Sequence, residues 1–165
     1  MSPSAEVSLA GVNQDVLEQL LELALRDAAP DEVTPPLGGQ GWNQERIDWF
    51  RAFHRAAADG LDGPAAEKTW AVLCNGTVAG SIRLKRAGGC AAETGIWLGR
   101  AFRGRGIGSA ALGLVLAEAR RAGLEQVTSH TTAGNTAARR LLAGAGAALT
   151  CDDGGAVSAA VVLPN

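Results

Sequence analysis

The sequence has no tyrosine, one methionine, two histidines and three cysteines in 165 residues, and its aromatics are four Trp and three Phe. Without tyrosine there is no phenol to act as acid, base or nucleophile. The cysteines are Cys74, Cys90 and Cys151. An odd count without regular spacing argues against a disulfide framework or a zinc site, and suits a reducing compartment and a chain that needs no metal. The formal charge of −2 is a poor match for nucleic acid, whose partners present a clearly basic surface. No apolar run approaches the ~20 residues that span a bilayer, and no charged-then-apolar leader follows Met1. The expectation is a cytoplasmic protein that engages neither membrane nor nucleic acid.

What is present is a globular composition, 47% apolar and 19% charged, with 22 glycines. The length fits one domain, 1–165. Val16, Leu17, Leu20, Leu21, Ala24 and Leu25 recur at helical spacing after Asn13, a good N-cap. Pro35, Pro36, Gly38, Gly39 and Gly41 make a loop. Ile47, Trp49, Phe50, Phe53 and Ala57 set a second helix, ending near Gly60. Strands follow at 70–74, 78–84 and 93–98, the first two joined by Asn75-Gly76, a strong hairpin signal. A helix runs to Ala122 with Gly123 beyond it. A strand at 127–132, a helix at 135–143 and strands at 147–151 and 156–163 complete the order. This is an α/β chain with a mixed, mostly antiparallel central sheet flanked by helices.

Between the third strand and the third helix stands Arg103-Gly104-Arg105-Gly106-Ile107-Gly108. Glycines this dense supply backbone N–H groups and close approach, not packing. At a helix N-terminus such N–H groups meet the positive end of the helix dipole and form a phosphate site. The loop lacks the Lys of a P-loop, and Ser109 stands where a dinucleotide fingerprint needs glycine.

Three segments carry a resemblance. Arg103-x-x-Gly106-x-Gly108, the preceding Glu93-Thr-Gly-Ile-Trp-Leu98, and Thr132-Ala-Gly-Asn135-Thr-Ala-Ala138 resemble, in this order, the GNAT superfamily of acyl-CoA-dependent N-acetyltransferases. Gly146 matches as well, although Ala147 replaces the usual Phe. The resemblance covers residues 70–150 and reaches the first third only through element order.

The resemblance implies a division into acceptor-side helices and loop (1–66), an acetyl-CoA-binding core (67–150) and a C-terminal hairpin strand (151–165). Acetyl-CoA, the cosubstrate, would lie between the strand ending at Leu98 and the strand ending near Thr132. The backbone of Ile96, Trp97 and Leu98 would pair with its pantetheine amides as an added strand. The N–H groups of Arg103, Gly104, Arg105, Gly106, Ile107, Gly108 and Ser109 would hold its pyrophosphate. Asn135 would reach the pantetheine arm; a plain N-cap is the other reading of that residue. Many members are homodimers, but no interface is legible in the sequence.

An amine of pKa ~10.4 is neutral in about one molecule per thousand at pH 7, so a base helps acetyl transfer. Glu93 is the candidate base, the carboxylate on the strand leading to the loop. Alternation places it on one face with Gly95 and Trp97; a salt bridge with Arg83 is the competing reading. Members of the family often use a Tyr seven residues after the Asn; here that position is Leu142, which leaves the general acid unassigned. Trp42, Asp48 and Trp49 are candidate acceptor-binding residues, aromatic and acidic, suited to a small cationic amine. An aminoglycoside-type antibiotic is the first reading of that acceptor, with resistance as the role. A protein N-terminus is the second, prompted by Leu142. A non-catalytic acyl-CoA sensor is the third.

Overall fold

In a computed structural model, which describes residues 6–132 and 134–163, seven strands form one sheet. The opening Met1–Ala5 stretch, Ala133 of the Thr132–Ala138 segment and the last two residues of the C-terminal segment lie outside the described residues. The elements run β1 (Val7–Gly11), α1 (Gln14–Asp27), α2 (Pro30–Val33), α3 (Gln44–Ala56), β2 (Glu67–Cys74), β3 (Thr77–Arg86), β4 (Ala91–Leu98), α4 (Ile107–Arg121), β5 (Gln126–Thr132), α5 (Thr136–Gly144), β6 (Ala148–Cys151) and β7 (Ala156–Val162). Strand order is β1-β2-β3-β4-β5-β7-β6, and every pair is antiparallel except β4–β5. This is the mixed sheet expected from the sequence. Among the described residues no helix is long and apolar enough to cross a membrane.

Local signals account for most boundaries. Asn13 Oδ1 accepts from the N–H of Val16 at 2.8 Å and starts α1. Asn43 Oδ1 does the same for Arg46 at 3.0 Å and starts α3. Asn75 and Gly76 have φ of 51° and 82°, the left-handed pair that lets a two-residue turn match strand twist. Two elements were not expected. Val7–Gly11 is a strand because it pairs with β2, Leu9 opposite Val72, a long-range effect without local signature. Pro30 opens α2 with Asp31 and Glu32 behind it, favourable in a first turn but too short to show periodicity.

The two faces of the sheet are built differently. On one, Trp70, Val72, Ile82, Leu84 and Ala92 meet Ile107, Ala111, Val115 and Ala119 of α4. On the other, Ala71 and Val78 meet Leu17, Leu20, Leu21 and Ala24 of α1 and Phe50 of α3. Phe50 is 1% exposed, and full burial of such a side chain is worth about 1.5–3 kcal/mol. The α1/α3 face turns polar toward one end: Thr69, Ser81 and Arg83 lie there with Glu67 and Glu93. The β2–β3 ladder shifts register at Val72/Leu73, and beside it β3 runs close to β4 at Gly80, where an added Cβ would stand 2.0 Å from Trp97 O.

Candidate active site

Strands β4 and β5 pair over three residues, Ala91↔Gln126, Ala92↔Val127 and Glu93↔Thr128, and then part. Gly99 N donates to Ala79 O, so the alternation of an antiparallel ladder turns the backbone groups of Ile96 and Leu98 away from β3, toward the gap. There Leu98 O accepts from Arg103 Nε at 3.0 Å. The gap contains a cavity of about 180 Å³ between Thr94, Gly95 and Ile96 on one side and Ser129, His130 and Thr131 on the other. It continues into a groove of about 770 Å³.

That groove gathers most of the residues expected to hold the cosubstrate. Ile96, Trp97, Leu98, Arg103, Gly104, Gly106, Gly108, Ser109 and Asn135 line it. The side chains of Arg105 and Ile107 are turned elsewhere. Arg105 donates to Ala101 O at 3.4 Å and stacks over Phe102, and the side chain of Ile107 is buried in the core beneath. Gly104 and Gly106 have φ of 72° and 79° and carry the chain into α4. No side chain caps α4, and its first internal bond, Ala110 N to Gly106 O, leaves the N–H groups of Ile107, Gly108 and Ser109 outside the helix ladder. Asn135 caps α5 through Ala138 N at 3.1 Å, the plain N-cap reading, and also borders the groove.

On the opposite face of β4 lies a second cavity of about 730 Å³, bounded by α2, α3 and the polar end of the sheet. Glu93, Gly95 and Trp97 share this face, as alternation requires. Glu93 is partnered: Arg83 Nη2 donates to it at 3.5 Å while Nη1 donates to Glu67 at 3.3 Å. Gly95 makes room for this, because a Cβ there would stand 3.1 Å from Arg83 Nε. Trp49 lines the cavity, stacked on Phe53 with centroids 5.1 Å apart.

The other two expected acceptor residues stand outside this wall. Trp42 donates from Nε1 to Ala28 O at 3.2 Å and packs with the α1 cluster. Asp48 is exposed and accepts from Gln44 at 2.8 Å. The loop between α2 and α3 has an organiser that the sequence did not reveal. Arg46, 2% exposed, donates to Thr34 Oγ1, Leu37 O and Gly39 O and pairs with Asp31 at 2.9 Å.

Three more titratable residues belong to this wall. Glu67 is a buried carboxylate on the cavity floor. Glu32 lines both this cavity and the groove, and pairs with Arg103. His54 is buried between Phe50 and Phe53, and burial lowers its pKa from 6.5 to about 4, so the ring is neutral at pH 7. Glu67 reaches Arg83 through the register of β2 on β3, which local sequence does not show; His54 stands four residues after Phe50 and seven after Ile47, the spacing of the packed helix face. Leu142, at the position where a Tyr was sought, is buried between α4 and β7 with Leu112 and Ala159.

Comparisons with known proteins agree with this architecture. No curated protein matches the sequence at a significant level. The chain is similar in fold to Mycobacterium smegmatis RimJ in complex with CoA-disulfide (20% identity, 96% of this chain and 84% of that one, TM-score 0.75). It is similar to RimL, an alpha-N-protein acetyltransferase of a ribosomal protein, in complex with coenzyme A (18% identity, 95% and 93% covered, TM-score 0.73). It is also similar to Campylobacter jejuni N-acetyltransferase PseH in complex with acetyl coenzyme A (10% identity, 96% and 100% covered, TM-score 0.69). The family model described as the acetyltransferase (GNAT) family matches residues 18–147, so the chain belongs to that family and is an acetyl-CoA-dependent N-acetyltransferase.

Proposed function

We propose that this enzyme acetylates a primary amine, with Glu93 as the base and the α-amine of a peptide or protein as the acceptor that fits best. One observation carries the reading: the groove and the acceptor-side cavity meet at Ile96 and Trp97, with the Glu93 carboxylate in the cavity wall.

The donor side fits acetyl-CoA. The uncapped first turn of α4 and the left-handed glycines before it offer N–H groups to a pyrophosphate, beside Arg103. The backbone of Ile96 and Leu98 is turned to an open strand edge, suited to a ligand with amides. Bound there, acetyl-CoA supplies an activated thioester acetyl group. Asn135 borders the same groove and would orient the arm.

On the acceptor side, Glu93 takes the proton that the ammonium must lose. Arg83, itself held by Glu67, holds that carboxylate in place. An N–H of the open β4 edge near Leu98 is the donor for the developing oxyanion. The chain has no tyrosine to protonate the leaving thiolate, and a thiol of pKa ~8.5 leaves acceptably without one.

Charge in the wall bears on the acceptor class. Asp31 is paired with Arg46, Glu32 with Arg103 and Arg86 with Asp62, while Glu67 and Glu93 face Arg83 and Lys85 of β3. The charges of the wall therefore balance, which gives a polycation no net pull. The aminoglycoside reading also loses Trp42 and Asp48 from the wall and keeps Trp49. RimL, similar in fold, acts on a protein α-amine, which adds to the peptide reading.

The test is CoA release from acetyl-CoA with N-terminal peptides, simple monoamines and aminoglycosides as acceptors. Peptides or monoamines should give the highest kcat/KM. Faster turnover of an aminoglycoside would reverse the order, and tight acetyl-CoA binding without any turnover would favour a sensor.

A further inference from the structure

Arg103 is committed to two intramolecular partners. Its Nε donates to Leu98 O at 3.0 Å, and its Nη2 pairs with Glu32 of α2. Arg100 stands 4.0 Å from the same carboxylate. A second tie joins the same parts of the chain: Asp27, at the end of α1, accepts from Ala101 N at 2.9 Å. The acceptor-side helices are therefore fastened to the glycine loop by two carboxylates.

Glu32 is an unexpected residue in this position. It is an anion in the wall of a groove whose other charged lining residues are Arg103 and Arg140. Like charges repel, so an ionised carboxylate there opposes a pyrophosphate unless an arginine neutralises it. The pair is also weak by placement, since the Arg103 and Glu32 side chains are 43% and 36% exposed. The same carboxylate borders the acceptor cavity, alongside Trp97, which also lines both spaces.

We propose that Glu32 is a specificity-determining residue that couples the two sites, a proposal that rests on the amine-acceptor reading above. Arg103 exchanges Glu32 for the pyrophosphate. Glu32, released from Arg103 and left with only the longer contact to exposed Arg100, turns its charge to the acceptor cavity and there attracts the incoming ammonium. The acceptor site thus becomes fully attractive to an amine only after the donor site is filled.

Two measurements on Glu32→Gln test this. The substitution keeps the size of an exposed side chain, and a thermal melt checks that the fold is intact. CoA binding to the enzyme without acceptor, followed by calorimetry, should tighten by about two- to fivefold, the size of one exposed ion pair. The acceptor KM at saturating acetyl-CoA should rise by about fivefold or more, the larger cost of losing a charge in a partly enclosed site. Unchanged or weaker CoA binding would mean that Glu32 only positions Arg103, and would overturn the proposal. Tighter binding with an unchanged acceptor KM would overturn it as well. Absence of CoA binding by the wild-type chain would overturn the donor-site reading itself, an outcome distinct from either.

Discussion

Arg83 reaches Glu93 diagonally across β3 and β4, at 3.5 Å, passing over Gly95, its direct partner in the register. The residue proposed as the base and the residue that anchors it are thus set by one backbone alignment. A glycine between them keeps the path clear.

Glu93→Gln should lower kcat by about 10²–10⁴-fold, the usual worth of a positioned general base, and flatten its rise with pH. The amide can still accept from Arg83, so the melting temperature should change little. A variant with wild-type rate and pH profile would place the base elsewhere.

Trp42 and Trp49 should separate stability from recognition. Trp42→Phe removes the hydrogen bond to Ala28 O and should cost about 1 kcal/mol of stability, with the acceptor KM unchanged. Trp49→Ala removes a ring from the cavity wall and should raise that KM by about three- to tenfold. Denaturant melts and steady-state kinetics on the two variants give the comparison.

His54 should make the fold acid-sensitive. Its pKa in the folded chain, about 4, lies below the ordinary 6.5, so the unfolded chain takes up the proton first as pH falls. The contribution is complete above about pH 6.5, declines between 6.5 and about 4, and is lost below. It amounts to about 3 kcal/mol across that window. His54→Phe, placed among Phe50 and Phe53, should lose less stability between pH 7 and 4.5 than the wild type. Equal losses in urea melts would show that other groups govern the acid response.

Gly80 has no tolerance for a side chain. A Cβ there would meet Trp97 O at 2.0 Å and Leu98 Cα at 2.8 Å, both backbone. Gly80→Ala should therefore push β3 off β4 and lower the melting temperature by roughly 5–15 °C. CoA affinity should fall with it, because the same β4 segment borders the groove.

The donor side was legible because its signals are local. The glycines before α4, the Asn135 cap and the Asn75-Gly76 turn act through their own backbone, and each is where the residues placed it. The acceptor side was less so. Trp42 and Asp48 have the right chemistry, but α3 and its loop turn them away, and no periodicity encodes which way a loop tryptophan faces. Arg46 looks like a solvated helix residue and is the buried centre of that loop. Glu67 and Glu93 come together only through the register of β2 and β4 on β3. The ion pair of Arg83 with Glu93, one of two readings of the sequence, is present in the structure.

The parting of β4 and β5 after Glu93 has a mechanical side. Three residue pairs join β1–β4 to β5–β7 within the sheet, and beyond them, among the described residues, no strand fills the space between β4 and β5. α4 and the common core hold the two parts together from one face, so a ligand seated between the edges stiffens the seam that the core leaves open. Amide exchange along 94–98 and 129–131 should slow when CoA is added, and α1, packed on the far face, should stay unmoved.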